Sequence, residues 1–294
     1  MAQNENSEVE KQSQNSVKQN NKKRKEIFPY GNYRNYYGYR IGHDVDEDPR
    51  LKVFKKEWFE GKDCLDIGCN NGIITIQIAK KFFCRSILGI DIDSNRVQDA
   101  YWNLRKAVKS ESSVKTSTKA SKLRVEDQED GNSENNSENC ITASSNEELK
   151  EISRELSSTK KRDLSDVVSF RKENVVRNPH PPEKCYDTIL CLSVTKWVHL
   201  NWGDDGLLTL FAKIWKLLQP GGILVLEPQP WKSYESNRLV SETTAMNYHN
   251  IMFRPEQFQE ILLDKVGFRT VEDITSGLSG SKTGFNRPIL VFKK

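Results

Sequence analysis

Asp63-Cys64-Leu65-Asp66-Ile67-Gly68-Cys69-Asn70-Asn71-Gly72, followed by Leu88-Gly89-Ile90-Asp91-Ile92-Asp93, decides the fold. An apolar strand runs into a glycine turn, a helix leaves the turn, and a second apolar strand ends in a carboxylate. That is the order a βαβ unit needs to hold an adenosine-containing ligand. Gly68 and Gly72 let the backbone turn sharply and let a ligand approach the strand end, while Asp91 stands where a carboxylate accepts both ribose hydroxyls. Cys69, Asn70 and Ile92 complete this edge of the pocket. Because Asn70 takes the middle position, the loop is not the GxGxxG of a dinucleotide site, and no GxxxxGK[ST] is present. S-adenosylmethionine is favoured over a dinucleotide, with a purely structural turn as the remaining reading.

Outside this unit the hydrophobic pattern keeps alternating. Residues 62–67 and 86–91 read as strands, 72–83 and 94–107 as helices, the second capped by Asp93 or Ser94. Further strands are predicted at 167–172, 186–192 and 222–227, the last entered through the turn signal Gln219-Pro220-Gly221-Gly222, with a helix over 204–218 before it. A helix over 255–266, begun by Pro255, and two strands at 268–274 and 288–292 follow. Those two strands, joined by the polar loop 276–286, predict a closing hairpin. This departs from a dehydrogenase, whose βα units continue into a second domain. The pattern is α/β around one core.

The 294 residues carry a formal charge of +4, with 29% charged and 36% hydrophobic residues, which suits one globular domain with polar extensions. No apolar run approaches the roughly 20 residues needed to cross a bilayer, and the N-terminus lacks a secretory apolar core. No membrane association and an intracellular place are expected. The six cysteines form no CxxC pair, so buried free thiols are expected and no metal. Residues 1–26 are rich in Gln, Asn and Ser and end in Lys22-Lys23-Arg24-Lys25, which predicts a disordered tail whose basic cluster is a nuclear address, a nucleic-acid arm or a solvated linker. The tract at about 108–163 reads as a disordered, low-complexity insertion in the domain spanning 27–294.

Four stretches together carry a resemblance to a known family. They are Phe28-Pro29-Tyr30-Gly31-Asn32-Tyr33 with Tyr36-Tyr37-Gly38-Tyr39-Arg40, the glycine turn, Thr195-Lys196-Trp197-Val198-His199-Leu200-Asn201-Trp202-Gly203-Asp204, and Leu226-Glu227-Pro228-Gln229-Pro230-Trp231. The chain resembles the bicoid-interacting-protein-3 type RNA methyltransferases over 28–105 and 165–294. The resemblance implies a Rossmann-like, class I S-adenosylmethionine-dependent fold with a seven-stranded, mostly parallel sheet, which methylates a 5′-terminal phosphate of a small nuclear RNA. It further implies an RNA partner with a 5′-phosphate end, ribonucleoprotein proteins as further partners, a monomer and a place in the nucleus. Rival readings are a scaffold that binds RNA without turnover, and a methyltransferase of a small molecule or protein.

Methyl transfer to a phosphate oxygen needs little base catalysis, since the oxygen is already anionic, so basic and aromatic groups should carry the site. Lys196 follows the fourth strand at the carboxyl edge of the sheet and is expected to neutralise the phosphate. Trp197 and Trp202 beside it either stack on a base or wall the pocket. His199 either donates to phosphate or is a satisfied structural histidine. By resemblance, Tyr30 and Arg40 belong at the cofactor and Arg34 nearer the phosphate, with Tyr30, Arg34 and Lys196 as the catalytic set. Asn174 and Val175 match the adenine-contacting position, and Leu192 and Ser193 are expected beside the methionine moiety. Gln229 and Arg254 are expected to contact substrate or RNA.

Overall fold

The computed structural model describes residues 27–40, 47–123, 163–178, 185–275 and 287–294, with side chains omitted for Tyr39 and 112–123. The basic cluster at 22–25, residues 124–162 and the loop 276–286 lie outside the described residues.

Seven strands form one sheet in the order β3-β2-β1-β4-β5-β7-β6. They are β1 (Asp63–Ile67), β2 (Ser86–Asp91), β3 (Val168–Lys172), β4 (Tyr186–Leu192), β5 (Leu218–Glu227), β6 (Thr270–Asp273) and β7 (Leu290–Lys293). The first five pair in parallel, while β7 is antiparallel to both β5 and β6. β1, β2 and β4 are buried almost throughout, as strands covered by helices on both faces must be. One core holds Ile74, Ile78, Ile87 and Phe170, and a second, across the sheet, holds Leu65, Ile189, Phe211 and Phe292.

The helices are α1 (Tyr36–Arg40), α2 (Ile73–Phe82), α3 (Ser94–Leu123), α4 (Thr195–Leu217), α5 (Trp231–Asn237) and α6 (Glu242–Asn250), with single turns elsewhere. Three elements differ from expectation. α3 runs to Leu123 rather than stopping at Ala107, because a stretch rich in Ser and Lys but without Gly or Pro offers nothing to end a helix. α4 begins nine residues early, at Thr195, and is really two helices meeting at Gly203, whose φ of 64° and ψ of −165° break the ladder. Gln219-Pro220-Gly221-Gly222 bulges within β5, since Tyr186 pairs Leu218 while Thr188 already pairs Ile223. The segment 255–266 is helical as expected but passes from a 3₁₀ turn through one α turn to a π turn.

The order of strands around β1 fixes where a ligand can go. The chain leaves β1 toward β2 on one side, and β4 lies on the other, so the helices on the two sides diverge and open a crevice at the carboxyl ends of these strands. Among the described residues, no helix is long and apolar enough to cross a membrane.

Candidate active site

A cavity fills this crevice, and the glycine turn forms its floor. Gly68 has φ of 74°, and a Cβ there would stand 2.4 Å from Val194 Cγ2, so only glycine fits between β1 and the start of α4. Asn70 takes φ of 51°, a left-handed conformation that Asn tolerates better than most residues. Its side chain accepts from the Asn71 N–H at 2.8 Å and donates to the Tyr33 carbonyl at 3.2 Å, tying the turn to the N-terminal arm. Asp91 accepts the Asn70 N–H on one oxygen and the Asp93 N–H on the other, both at 2.9 Å. Each oxygen keeps a free lone pair, and Asp91 lines the cavity, which leaves acceptors for a vicinal diol. Burial raises its pKa against those two bonds.

Apolar walls complete an adenosine-shaped space. Ile74, Ile90, Ile92, Val175 and Leu192 line it, with Glu173 and Asn174 after β3 and Ser193 after β4. Asp66 also lines it, 2% exposed, accepting from Thr75 Oγ1 at 2.6 Å. Burial lifts its pKa to about 6, opposed by Thr75 and Arg50 and aided by the nearby charge of Asp91. Among the described residues, no group of three or more His, Cys, Asp or Glu is placed to hold a metal ion. The residues present do fit a nucleoside cofactor: a glycine cradle that a Cβ would fill, a diol acceptor and apolar faces for a base.

The arm 27–33 covers the cavity. Asn201 Nδ2 donates to the Pro29 carbonyl at 2.9 Å and Asn32 Nδ2 to Asp93 Oδ2 at 2.5 Å, so the arm is fastened to α4 on one side and to the end of β2 on the other. Tyr30 stacks on Trp202 with 5.8 Å between ring centroids and 14° between planes. Gly31 lies so close to Trp197 that a Cβ would overlap its indole. Trp197 and Trp202 are both walls of the cavity.

Beneath the methionine end expected beside Leu192 lies a buried ionic cluster that the sequence does not announce. Glu227 accepts from Arg40 at 2.5 Å, Arg50 at 2.9 Å and Ser193 Oγ at 2.6 Å. Asp48 accepts from Arg50 Nη2 at 2.7 Å and lies 3.8 Å from Arg40 Nε. Arg287 donates to Ser193 Oγ at 2.7 Å. Burial alone would raise the Glu227 and Asp48 pKa values, but the guanidiniums outweigh it and hold both carboxyls below their ordinary range. Arg40, Arg50 and Arg287 thus converge with Asp48 and Glu227 beneath Ser193, on the cavity wall.

Lys196 stands at the same end. Its Nζ donates to Ser233 Oγ at 2.9 Å and sits 4.3 Å from the Trp197 ring centroid. With 5% of its surface exposed, its pKa falls to about 7, first through burial and then through the charge of Arg287. Lys196 and Arg287 both stand beside the Ser193 wall, and neither lines the cavity itself.

The structure brings Tyr30, Gly68, Asn70, Asp91, Ile92, Asn174, Val175, Leu192 and Trp197 together around one cavity. Cys69 is buried beside the turn and Gly72, φ 74°, starts α2, both outside the lining. Three expectations are corrected, those for Arg40, Gln229 and Arg34, while His199 takes the structural one of its two readings. Arg40 is 2% exposed and spent on Glu227, so it supports the cavity from below instead of lining it. His199 is fully buried, held by Asp204 at 2.7 Å and facing Phe253 and Phe258, because its apolar helix face turns inward; burial lowers its pKa. Gln229, 2% exposed, donates to the Ser193 carbonyl and accepts from the Lys196 N–H at 3.2 Å, bracing the turn that aims Lys196. Arg34 is exposed on the arm and does not line the cavity. Arg254 lies away from the cavity, its guanidinium 4.9 Å from the Trp231 ring centroid, so the RNA contact expected of it falls outside the cavity. Asp66, Arg50 and Arg287 were missed; Asp66 alone had a signal, since it stands inside the quoted turn, whereas Ser193 lines the cavity next to Leu192 as expected.

The strand order, with an antiparallel β7 and a nucleoside-shaped crevice at the β1–β4 switch point, defines a Rossmann-like, class I methyltransferase fold. The Bicoid-interacting protein 3 (Bin3) family matches residues 186–294. The chain is 64% identical over 273 residues to a probable RNA methyltransferase of Arabidopsis thaliana, covering 93% of this chain and 83% of that protein. It is 35% identical to the U6 snRNA methylphosphate capping enzyme Amus of Drosophila melanogaster, covering 91% and 75%. It is 41% identical to the human 7SK snRNA methylphosphate capping enzyme, covering 93% of this chain but 40% of that longer protein. The chain belongs to the Bin3 family of RNA methyltransferases.

Proposed function

We propose that this protein transfers a methyl group from S-adenosylmethionine to a 5′-terminal phosphate of RNA, acting as a monomer in the nucleus. The observation that carries the reading is the pair of cations behind the Ser193 wall of the cavity, Arg287 on Ser193 Oγ and Lys196 joined to the Ser193 carbonyl through Gln229, neither of which lines the cavity itself. The relatives named as methylphosphate capping enzymes support the same acceptor.

Gly68, Asp91, Asn174, Val175 and Leu192 would hold the cofactor, which supplies an electrophilic methyl on a sulfonium. The protein's own groups then have three tasks. Asp91 fixes the ribose and so the register of everything attached to it. Lys196 and Arg287 hold the phosphate by charge-assisted hydrogen bonds, which orient an oxygen already anionic at neutral pH. Tyr30, Trp197 and Trp202 keep water out, which strengthens these interactions. No group need remove a proton from the acceptor.

Transfer of labelled methyl to 5′-triphosphate, 5′-monophosphate and 5′-hydroxyl RNAs tests the reading. Label on a phosphate-bearing RNA and none on the hydroxyl RNA is expected; equal labelling of the hydroxyl RNA overturns it. Tight cofactor binding without label on any RNA would make the protein a scaffold.

A further inference from the structure

Beside Lys196, α5 and α6 carry a feature the cavity does not use. Trp231 stacks on Tyr248 with ring centroids 4.9 Å apart and planes 14° apart, and on Tyr234 at 5.1 Å and 28°. Two guanidiniums sit against this stack: Arg254 lies 4.9 Å from the centroid of Trp231, its middle ring, and Arg238 5.9 Å from that of Tyr248 at one end. Among the described residues, neither of these arginines nor the exposed Lys232 has a carboxylate within ion-pair distance. Arg238 donates only to a backbone carbonyl, that of Glu235, at 2.7 Å.

We infer that this guanidinium-flanked aromatic stack is a docking track for the single-stranded RNA that follows the 5′ end. The inference rests on the proposed RNA acceptor and extends it outward. Three observations lead to a nucleic acid. The track starts at the acceptor seat, since Ser233 of α5 takes the Lys196 ammonium and Asn237 accepts from Tyr33 Oη at 3.3 Å. Guanidiniums laid on rings lose little freedom on binding and keep their N–H edges free for phosphates, or their planes free for bases. Lys232, Arg238 and Arg254 equal in number the carboxylates of Glu235, Glu242 and Glu256 on the same segments, yet among the described residues none of the three cations is ion-paired, which leaves them available to a polyanion.

The test measures binding of two probes across a salt series. One is a 20-nucleotide 5′-triphosphate RNA with a single-stranded 5′ end, the other a 5′-triphosphate dinucleotide too short to reach α6. Arg238→Gln with Arg254→Gln should weaken the 20-mer about tenfold and flatten its log-log salt slope by about 0.7 for each phosphate no longer neutralised. The dinucleotide should shift less than twofold. Wild-type affinity for the 20-mer in the double variant overturns the inference, as does an equal loss on both probes. Thermal melts establish that the variant is folded. Loss of the salt slope in a protein that methylates no RNA would support the track while removing the proposed activity, so the two readings fail separately.

Discussion

Lys196 has to be charged to hold a phosphate, yet its surroundings disfavour the charge. Burial and Arg287 bring its pKa to about 7, so in the free protein the cation is complete at lower pH and is lost as pH rises through about 7. A terminal phosphate monoester loses its second proton near pH 6, so it gains charge over nearly the same range. kcat/KM for RNA should therefore peak between about pH 6 and 7. Lys196→Arg, permanently charged, should move the alkaline limb upward; an unmoved limb would place the titrating group elsewhere. Lys196→Ala should lower kcat/KM roughly tenfold to 150-fold, since one charge-assisted hydrogen bond is worth about 1.5–3 kcal/mol, with cofactor affinity measured by calorimetry nearly unchanged. Asp66 carries the opposite sign for stability. Its folded pKa, about 6, lies above its unfolded value, so its contribution is fully present at low pH and is lost as pH rises through about 6. Asp66→Asn keeps an acceptor for Thr75 while removing the buried charge. It should melt no lower than wild type at pH 8, and a clear drop there would show that the carboxylate is needed for folding.

Among the elements, those with local causes were legible. The strand, glycine turn and helix of the first βαβ unit follow from hydrophobic period and glycine placement, and β1, β2 and β4 lie where the pattern put them. α4 was half legible. Its second part has an ordinary amphipathic stripe, but its first part lies before Gly203, and a glycine with positive φ conceals from sequence that two helices abut. That first part carries Lys196 and Trp197, so the missed helix is the one that aims the acceptor site. The same junction yields a test of how α4 meets the glycine turn. Gly68→Ala should weaken cofactor binding at least tenfold, because its Cβ would stand 2.4 Å from Val194 Cγ2 and its φ of 74° disfavours a side chain. Adding Val194→Ala relieves only the clash, so calorimetry should show partial recovery; no recovery would mean that backbone strain alone decides.

Across the whole molecule, the cluster around Glu227 joins parts of the chain that sequence keeps far apart. Arg40 and Arg50 come from the segment before β1, Ser193 follows β4, Glu227 ends β5 and Arg287 precedes β7. No period or spacing announces such a cluster, since each member looks like an ordinary polar residue until the sheet brings them together. This explains why the cofactor side of the site was readable while its charged underside was not. Glu227 is the member that touches most others, and it is fully buried. Glu227→Ala would leave guanidiniums desolvated without their partner, a loss of about 3–5 kcal/mol, or roughly 6–20 °C in melting temperature. Because its folded pKa is depressed, its stabilisation is present above its unfolded pKa, near 4.3, and is lost as pH falls through the folded value. Wild type and Glu227→Ala should thus differ most at neutral pH and converge in acid. A melting-temperature difference that stayed constant from pH 7 down to pH 3 would show that Glu227 stabilises by packing rather than by charge.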